Sequence, residues 1–135
     1  MTKPGVKEGL PAANSLLFVY GTLQKGGQYH YFLESCAARL ISPGTLATPY
    51  PLILADYPCL LDQPGKGFCV TGEIYEIKKP GDWKAIDHLE GYPNEYTRRL
   101  ERVKTDSQSL LAWTYFYLRP DLLDPAVKPV PVFRP

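Results

Sequence analysis

Apolar residues in this chain come in short runs that glycine and proline cut off. Leu16 to Tyr20 is one unbroken run, closed by Gly21, and predicts a buried strand. After Gly26-Gly27, Tyr29, Phe32, Leu33 and Cys36 recur at helical spacing and predict a helix over 28–38. Pro43, Gly44, Pro49, Pro51 and Pro58 forbid a long helix between Arg39 and Leu61. That stretch reads as short strands near 39–47 and 51–54, then an irregular loop from Ala55 to Leu61. A turn at Gln63–Gly67 leads into alternation from Phe68 to Ile77, one long strand with a bulge at Gly72. Asp82 is placed to cap a short helix with Trp83, Ile86 and Leu89 on its apolar face. Gly91 ends that helix and Pro93 prevents its continuation. Tyr96–Lys104 and Leu110–Leu118 predict two further strands joined by a polar turn at 105–109.

The ends differ in character from this body. Residues 1–15 read as a polar arm and 16–118 as one folded domain. The stretch 119–135, with Pro120, Pro125, Pro129, Pro131 and Pro135, reads as an extended tail over the surface. The order of elements is α+β, with a mostly β core able to close into a small barrel.

Composition narrows the function classes. The chain has 135 residues, enough to bury a core without disulfide or metal support. Lys plus Arg is 15 against 14 for Asp plus Glu, so no charge excess draws it to nucleic acid or an acidic membrane. No run reaches the ~18 apolar residues of a membrane span, and no signal-peptide pattern precedes Leu16. Cys36, Cys59 and Cys69 are odd in number and lack paired spacing. They read as reduced, core-packed thiols of a cytoplasmic protein, and no metal ligand set is expected.

Two places could carry chemistry. The turn Tyr20-Gly21-Thr22-Leu23 leaves the first strand. It is either an ordinary strand-to-loop turn or a concavity of backbone N–H groups for an anion. Glu90 ends the second helix, where the dipole disfavours a carboxylate. It is either a solvated helix-end acid or, if buried, a proton-transfer group of raised pKa. Asp87, three residues earlier, reads as facing water or capping a neighbour. Arg98, Arg102 and Lys104 share a strand face that reads as solvated, with Arg98 able to pair a carboxylate. Trp113, Tyr115 and Tyr117 share one face of the last strand.

Phe18-Val19-Tyr20-Gly21-Thr22-Leu23, Tyr50-Pro51-Leu52 with Pro58-Cys59-Leu60-Leu61, Gly72-Glu73-Ile74-Tyr75, Asp87-His88-Leu89-Glu90-Gly91-Tyr92 and Ala112-Trp113-Thr114-Tyr115 stand in an order that resembles the gamma-glutamylcyclotransferase-like family. The resemblance runs from about Leu16 to Leu118. It leans toward the gamma-glutamylamine branch through Thr22, Leu23 and the run 61–67. It implies a small mixed β-barrel flanked by short helices. It also implies a cofactor-free reaction in which a gamma-glutamyl amine closes on itself to 5-oxoproline and releases its amine. By the same resemblance Glu90 is the catalytic carboxylate. Tyr20, Gly21, Thr22 and Leu23 form the substrate loop. Strand geometry adds Tyr115, expected to reach the same cavity, with Trp113 and Tyr117 packing nearer its ends. The partner is then a small gamma-glutamyl molecule, with no nucleic acid and no membrane. The loop from Ala55 to Gly67 would line the side of the departing amine. Two other readings stay open: a non-catalytic binding domain of the same fold, and a biosynthetic enzyme that removes a gamma-glutamyl group.

Overall fold

The computed structural model of the chain describes residues 9–135. The first eight residues of the polar arm lie outside that range. The elements run β1 (Ser15–Val19), α1 (His30–Ser35), β2 (Arg39–Leu46), β3 (Leu52–Leu54), β4 (Pro58–Leu60), β5 (Thr71–Ile77), α2 (Pro80–Glu90), β6 (Tyr96–Lys104) and β7 (Ser109–Tyr117), then a 3-10 turn at Pro120–Leu122. Five strands close into a barrel in the order β1-β5-β2-β6-β7, and β3-β4 form a separate hairpin. The pairs around the barrel are antiparallel except β1 with β7, which meet in parallel at Leu17 and Trp113. The fold is therefore α+β with a small mixed barrel and two short helices.

Strand alternation divides the core in two. Phe18, Ile74, Val103, Ala112 and Phe116 join the hairpin's Leu52 and Leu60 in one cluster. Leu17, Val19, Tyr75, Ile77, Tyr115 and Tyr117 point the other way and meet Leu33 of α1 with Trp83 and Ile86 of α2. The helices are thus held by the second faces of the same strands that fill the barrel.

Several local expectations are corrected. The first helix keeps only its middle, His30–Ser35. The predicted loop 55–61 contains β4, whose Pro58, Cys59 and Leu60 are all buried. The long strand begins at Thr71: Phe68 makes only an isolated bridge to Tyr50, so the alternation at 68–69 has no ladder to face. Cys69 is accordingly exposed rather than core-packed; Cys36 is half-buried and Cys59 buried. Gly72 is no bulge, for it pairs in register with Gly44, and the irregularity lies in β2 between Leu40 and Ser42. A Cβ at Gly72 would lie 2.2 Å from the Val19 carbonyl oxygen, so close approach explains the glycine. Asp82 does not cap α2. Lys79 occupies that position and Pro80 is the first helical residue, leaving Asp82 within the first turn.

After its 3-10 turn the tail makes a second turn at 124–127 and then runs extended, but it is tied down. Val130 N–H donates to Leu52 O at 3.0 Å, and Thr71 N–H to Pro131 O at 3.1 Å. Among the described residues no helix is long and apolar enough to cross a membrane.

Candidate active site

Helical spacing puts Trp83, Ile86, Asp87 and Glu90 on one stripe of α2, facing the barrel. Trp83 and Ile86 bury completely and fix the helix against β5 and β7. Immediately after Glu90 the chain turns: Gly91 sits at φ +70°, and its N–H donates to Asp87 O and His88 O. Glu90 is therefore carried at a rigid helix end.

Asp87 does not face water. It is fully buried, because it shares the stripe with Trp83 and Ile86. Its carboxylate takes a two-pronged bond from Arg98, Nε at 2.8 Å and Nη2 at 2.9 Å. The Tyr115 hydroxyl donates to the same carboxylate at 2.5 Å. Arg98 and Tyr115 are register partners on β6 and β7, so one carboxylate staples α2 to two strands. The guanidinium also lies over the rings of Tyr92 at 4.4 Å and Trp113 at 5.2 Å. Of the basic strand face, Arg102 and Lys104 are exposed as expected, while Arg98, at the end of β6 beneath α2, is covered. Replacing Tyr115 with Phe is expected to lower stability by about 1.5–3 kcal/mol, since it removes a buried bond to a charged acceptor. A denaturant titration checks this, and an unchanged midpoint would contradict it.

A cavity of about 220 Å³ opens where β1 ends. The turn Tyr20, Gly21, Thr22 and Leu23 lines it, as do Leu89 and Glu90 from the end of α2. Tyr96 and Tyr115 of the barrel strands line it too, with Tyr57, Pro58 and Glu95. All six residues expected from the sequence thus border one space. Trp113 and Tyr117 do not line it.

The polar groups of the cavity are divided by role. Tyr20 Oη donates to Tyr115 O at 2.8 Å and Tyr96 Oη to Pro58 O at 3.0 Å. Burial holds the phenols of Tyr20, Tyr96 and Tyr115 well above their ordinary range, so they remain neutral. In the turn, Gln24 N–H bonds Gly21 O and Tyr29 N–H bonds Thr22 O. Among the described residues no backbone or side-chain acceptor takes the N–H of Gly21, Thr22 or Leu23.

Glu90 is half-buried and borders the cavity. No donor among the described residues bonds its carboxylate. Burial, then the charges of Glu95 and Asp87, push its pKa from 4.5 up to about 7. Glu95 is held in turn by the Tyr57 hydroxyl, 2.5 Å away. Neither cysteine nor histidine offers a rival nucleophilic pair. Burial raises the Cys59 thiol to about 11, and His30 Nδ1 is engaged with Leu23 O at 2.9 Å.

Sequence reading missed Asp87 as the organising residue and Glu95 and Tyr57 as neighbours of Glu90. The stripe 83-86-87-90 was a usable signal for the first. Tyr57 and Glu95 sit in turns, where spacing says nothing about direction.

The arrangement has known counterparts. A family model described as gamma-glutamyl cyclotransferase, AIG2-like, matches residues 17–130. The gamma-glutamylaminecyclotransferase of Rattus norvegicus is 36% identical over 94 residues, which cover 65% of this chain and 62% of the rat protein. The match thus spans less than two thirds of that relative. Gamma-glutamylaminecyclotransferase A of Danio rerio is 32% identical over 126 residues, 85% of this chain and 78% of its own. A crystal structure of an AIG2-like protein from Mus musculus aligns with a TM-score of 0.81 at 27% identity, covering 91% of this chain and 90% of that one. The matched region takes in most of β1, every residue lining the cavity and β7, and the chain belongs to the AIG2-like gamma-glutamyl cyclotransferase family.

Proposed function

We propose that the protein is a cyclotransferase that releases an amine from a gamma-glutamyl amine and leaves 5-oxoproline. The observation that carries this reading is Glu90, a carboxylate that titrates near neutrality and shares a small cavity with the open N–H groups of the Tyr20–Leu23 turn. Family membership and the named relatives support the same reaction.

The reaction is internal to the substrate. The α-ammonium gives a proton to Glu90, and the freed nitrogen attacks the γ-carbonyl carbon. A C–N bond forms, closing a five-membered ring, and the bond to the departing nitrogen breaks. Protons from the attacking nitrogen pass through Glu90 to the departing amine, which leaves as an ammonium. One carboxylate serves both steps best when its pKa lies near the working pH. The N–H groups of Gly21, Thr22 and Leu23 hold the α-carboxylate or the developing oxyanion. The neutral phenols of Tyr20, Tyr96 and Tyr115 narrow the space and favour the folded, near-attack substrate. Tyr115 acts mainly through Asp87, because its hydroxyl is already given there. The chain's chemistry requires no cofactor, and three unpaired thiols suit a cytoplasmic setting.

The test is the pH dependence of amine release. Because Glu90 must be ionised to accept the first proton, kcat/KM should climb as pH rises through about 7. It should lie about tenfold below its plateau one pH unit under that pKa. A profile flat from pH 5 to 8 would contradict the assignment.

A further inference from the structure

The carbonyls of Gly21, Thr22 and Leu23 all have partners. Gly21 O takes the Gln24 N–H at 3.1 Å and the Gln24 side-chain Nε2 at 3.3 Å. Thr22 O takes the Tyr29 N–H at 2.9 Å, and Leu23 O lies 2.9 Å from His30 Nδ1. In a trans peptide the C=O and the next N–H point in opposite directions. Holding Gly21 O therefore fixes the direction of the Thr22 N–H, and holding Thr22 O fixes that of the Leu23 N–H. Thr22 and Leu23 border the cavity, and both N–H groups are open.

Thr22 O is held by backbone alone, whereas Gly21 O also depends on a side chain. Gln24 is only 7% exposed, so its amide must be paired inside the protein. Nε2 gives one hydrogen to Gly21 O and the other to Phe133 O, at 2.9 Å and 109 residues further along the chain.

The tail that carries Phe133 is itself anchored. Its bonds to Leu52 of the hairpin and Thr71 of β5 lie two or three residues before Phe133, and Val130 and Phe133 pack on the cluster that fills the barrel. Phe133 and Pro135 also line a second cavity, of about 230 Å³, which shares Thr22 with the first. The end of the chain thus lies against the substrate turn.

We propose that Gln24 is a positioning residue for the reaction: anchored by the Phe133 carbonyl, its amide holds the Gly21–Thr22 peptide so that the Thr22 N–H faces the cavity, and the C-terminal tail is in this way part of the active site. This rests on the cyclotransferase reading above. Gln24 does not line the first cavity and touches no reacting atom; it acts on the substrate only through the turn.

The experiment replaces Gln24 in the full chain by Met, which keeps the length but donates nothing, and by Lys, whose ammonium can again give hydrogens to both carbonyls. Calorimetry measures 5-oxoproline binding, and amine release from gamma-glutamyl-n-propylamide gives kcat and KM. Gln24→Met should bind 5-oxoproline about tenfold more weakly, the contribution of one hydrogen bond, and lose at least as much in kcat/KM. The rise of kcat/KM with pH should keep its midpoint at about 7, since Gln24 acts on the turn and not on Glu90. Gln24→Lys should recover to within about threefold of wild type. Phe133→Ala loosens the tail; it should weaken binding about threefold in the wild type and add nothing beside Gln24→Met. Thermal melts accompany each variant. Should Gln24→Met fail to fold, Phe133→Ala carries the test, and unchanged binding there would overturn the proposal. Folded Gln24→Met that binds 5-oxoproline as wild type does, or Gln24→Lys as weak as Gln24→Met, would overturn it while leaving the reaction standing. Wild type that releases no amine would overturn the reaction itself, and the role of Gln24 with it.

Discussion

Glu90→Gln is expected to lower amine release by about 10²–10⁴-fold, or roughly 3–5 kcal/mol of barrier, while 5-oxoproline still binds. Glutamine keeps the size and much of the hydrogen bonding of the side chain but cannot carry a proton. The same variant should be more stable than wild type, and the gain should depend on pH. Below about pH 4.5 the carboxyl is protonated in the folded and the unfolded chain alike, so it costs nothing. Between 4.5 and about 7 the unfolded chain gives up the proton and the folded chain keeps it, so wild-type stability falls as pH rises. Above about 7 the whole penalty is present, on the order of 3 kcal/mol. Melting temperatures of the two proteins should therefore nearly coincide at pH 4.5 and separate by several degrees at pH 8. Equal turnover, or a gap that does not widen with pH, would remove Glu90 from the role assigned to it.

The largest loss of stability is expected from Arg98→Ala. It takes both guanidinium bonds away from the Asp87 carboxylate, which stays buried in the core beside the Tyr115 hydroxyl. Removing one partner of a buried, two-pronged pair costs about 3–5 kcal/mol. For a domain of this size that lowers the melting temperature on the order of 10 °C or more. The double replacement Asp87→Leu with Arg98→Met should recover part of the loss, because no charge is then left unpaired. A calorimetric melt of the three proteins decides it. An Arg98→Ala melt within 2–3 °C of wild type would mean that the pair does not hold α2 to the barrel.

Much of the fold was legible because its signals are local. The run 16–20, the helix stop at Gly91 and the two closing strands each follow from spacing and from a glycine or proline beside them. β4 was not legible, since Pro58-Cys59-Leu60 is too short to show a period and becomes a strand only against Leu52–Leu54. Cys69 misled because alternation at 68–70 looks like a strand, although its first residues have only a single bridge to pair with. At the site, the resemblance put the turn and Glu90 together, and they do border one cavity, whereas residue types alone left both open. Asp87 shows why. Its charge argues for water, and only the coincidence of its stripe with Trp83 and of Arg98 with Tyr115 reverses that argument. Of the loop 55–67, Ala55 to Pro58 line the cavities and Gln63 to Gly67 do not. Phe133 and Pro135, far away in the chain, line the second cavity with Ala55 to Pro58.

The central claim is that the substrate's own nitrogen, with Glu90 moving its protons, displaces the amine. It is tested most directly by identifying the acid product in water enriched in ¹⁸O. The account predicts that amine released from a gamma-glutamyl amine is matched by an equal amount of 5-oxoproline carrying no ¹⁸O. Glutamate bearing the label would mean that water is the nucleophile, and would contradict it.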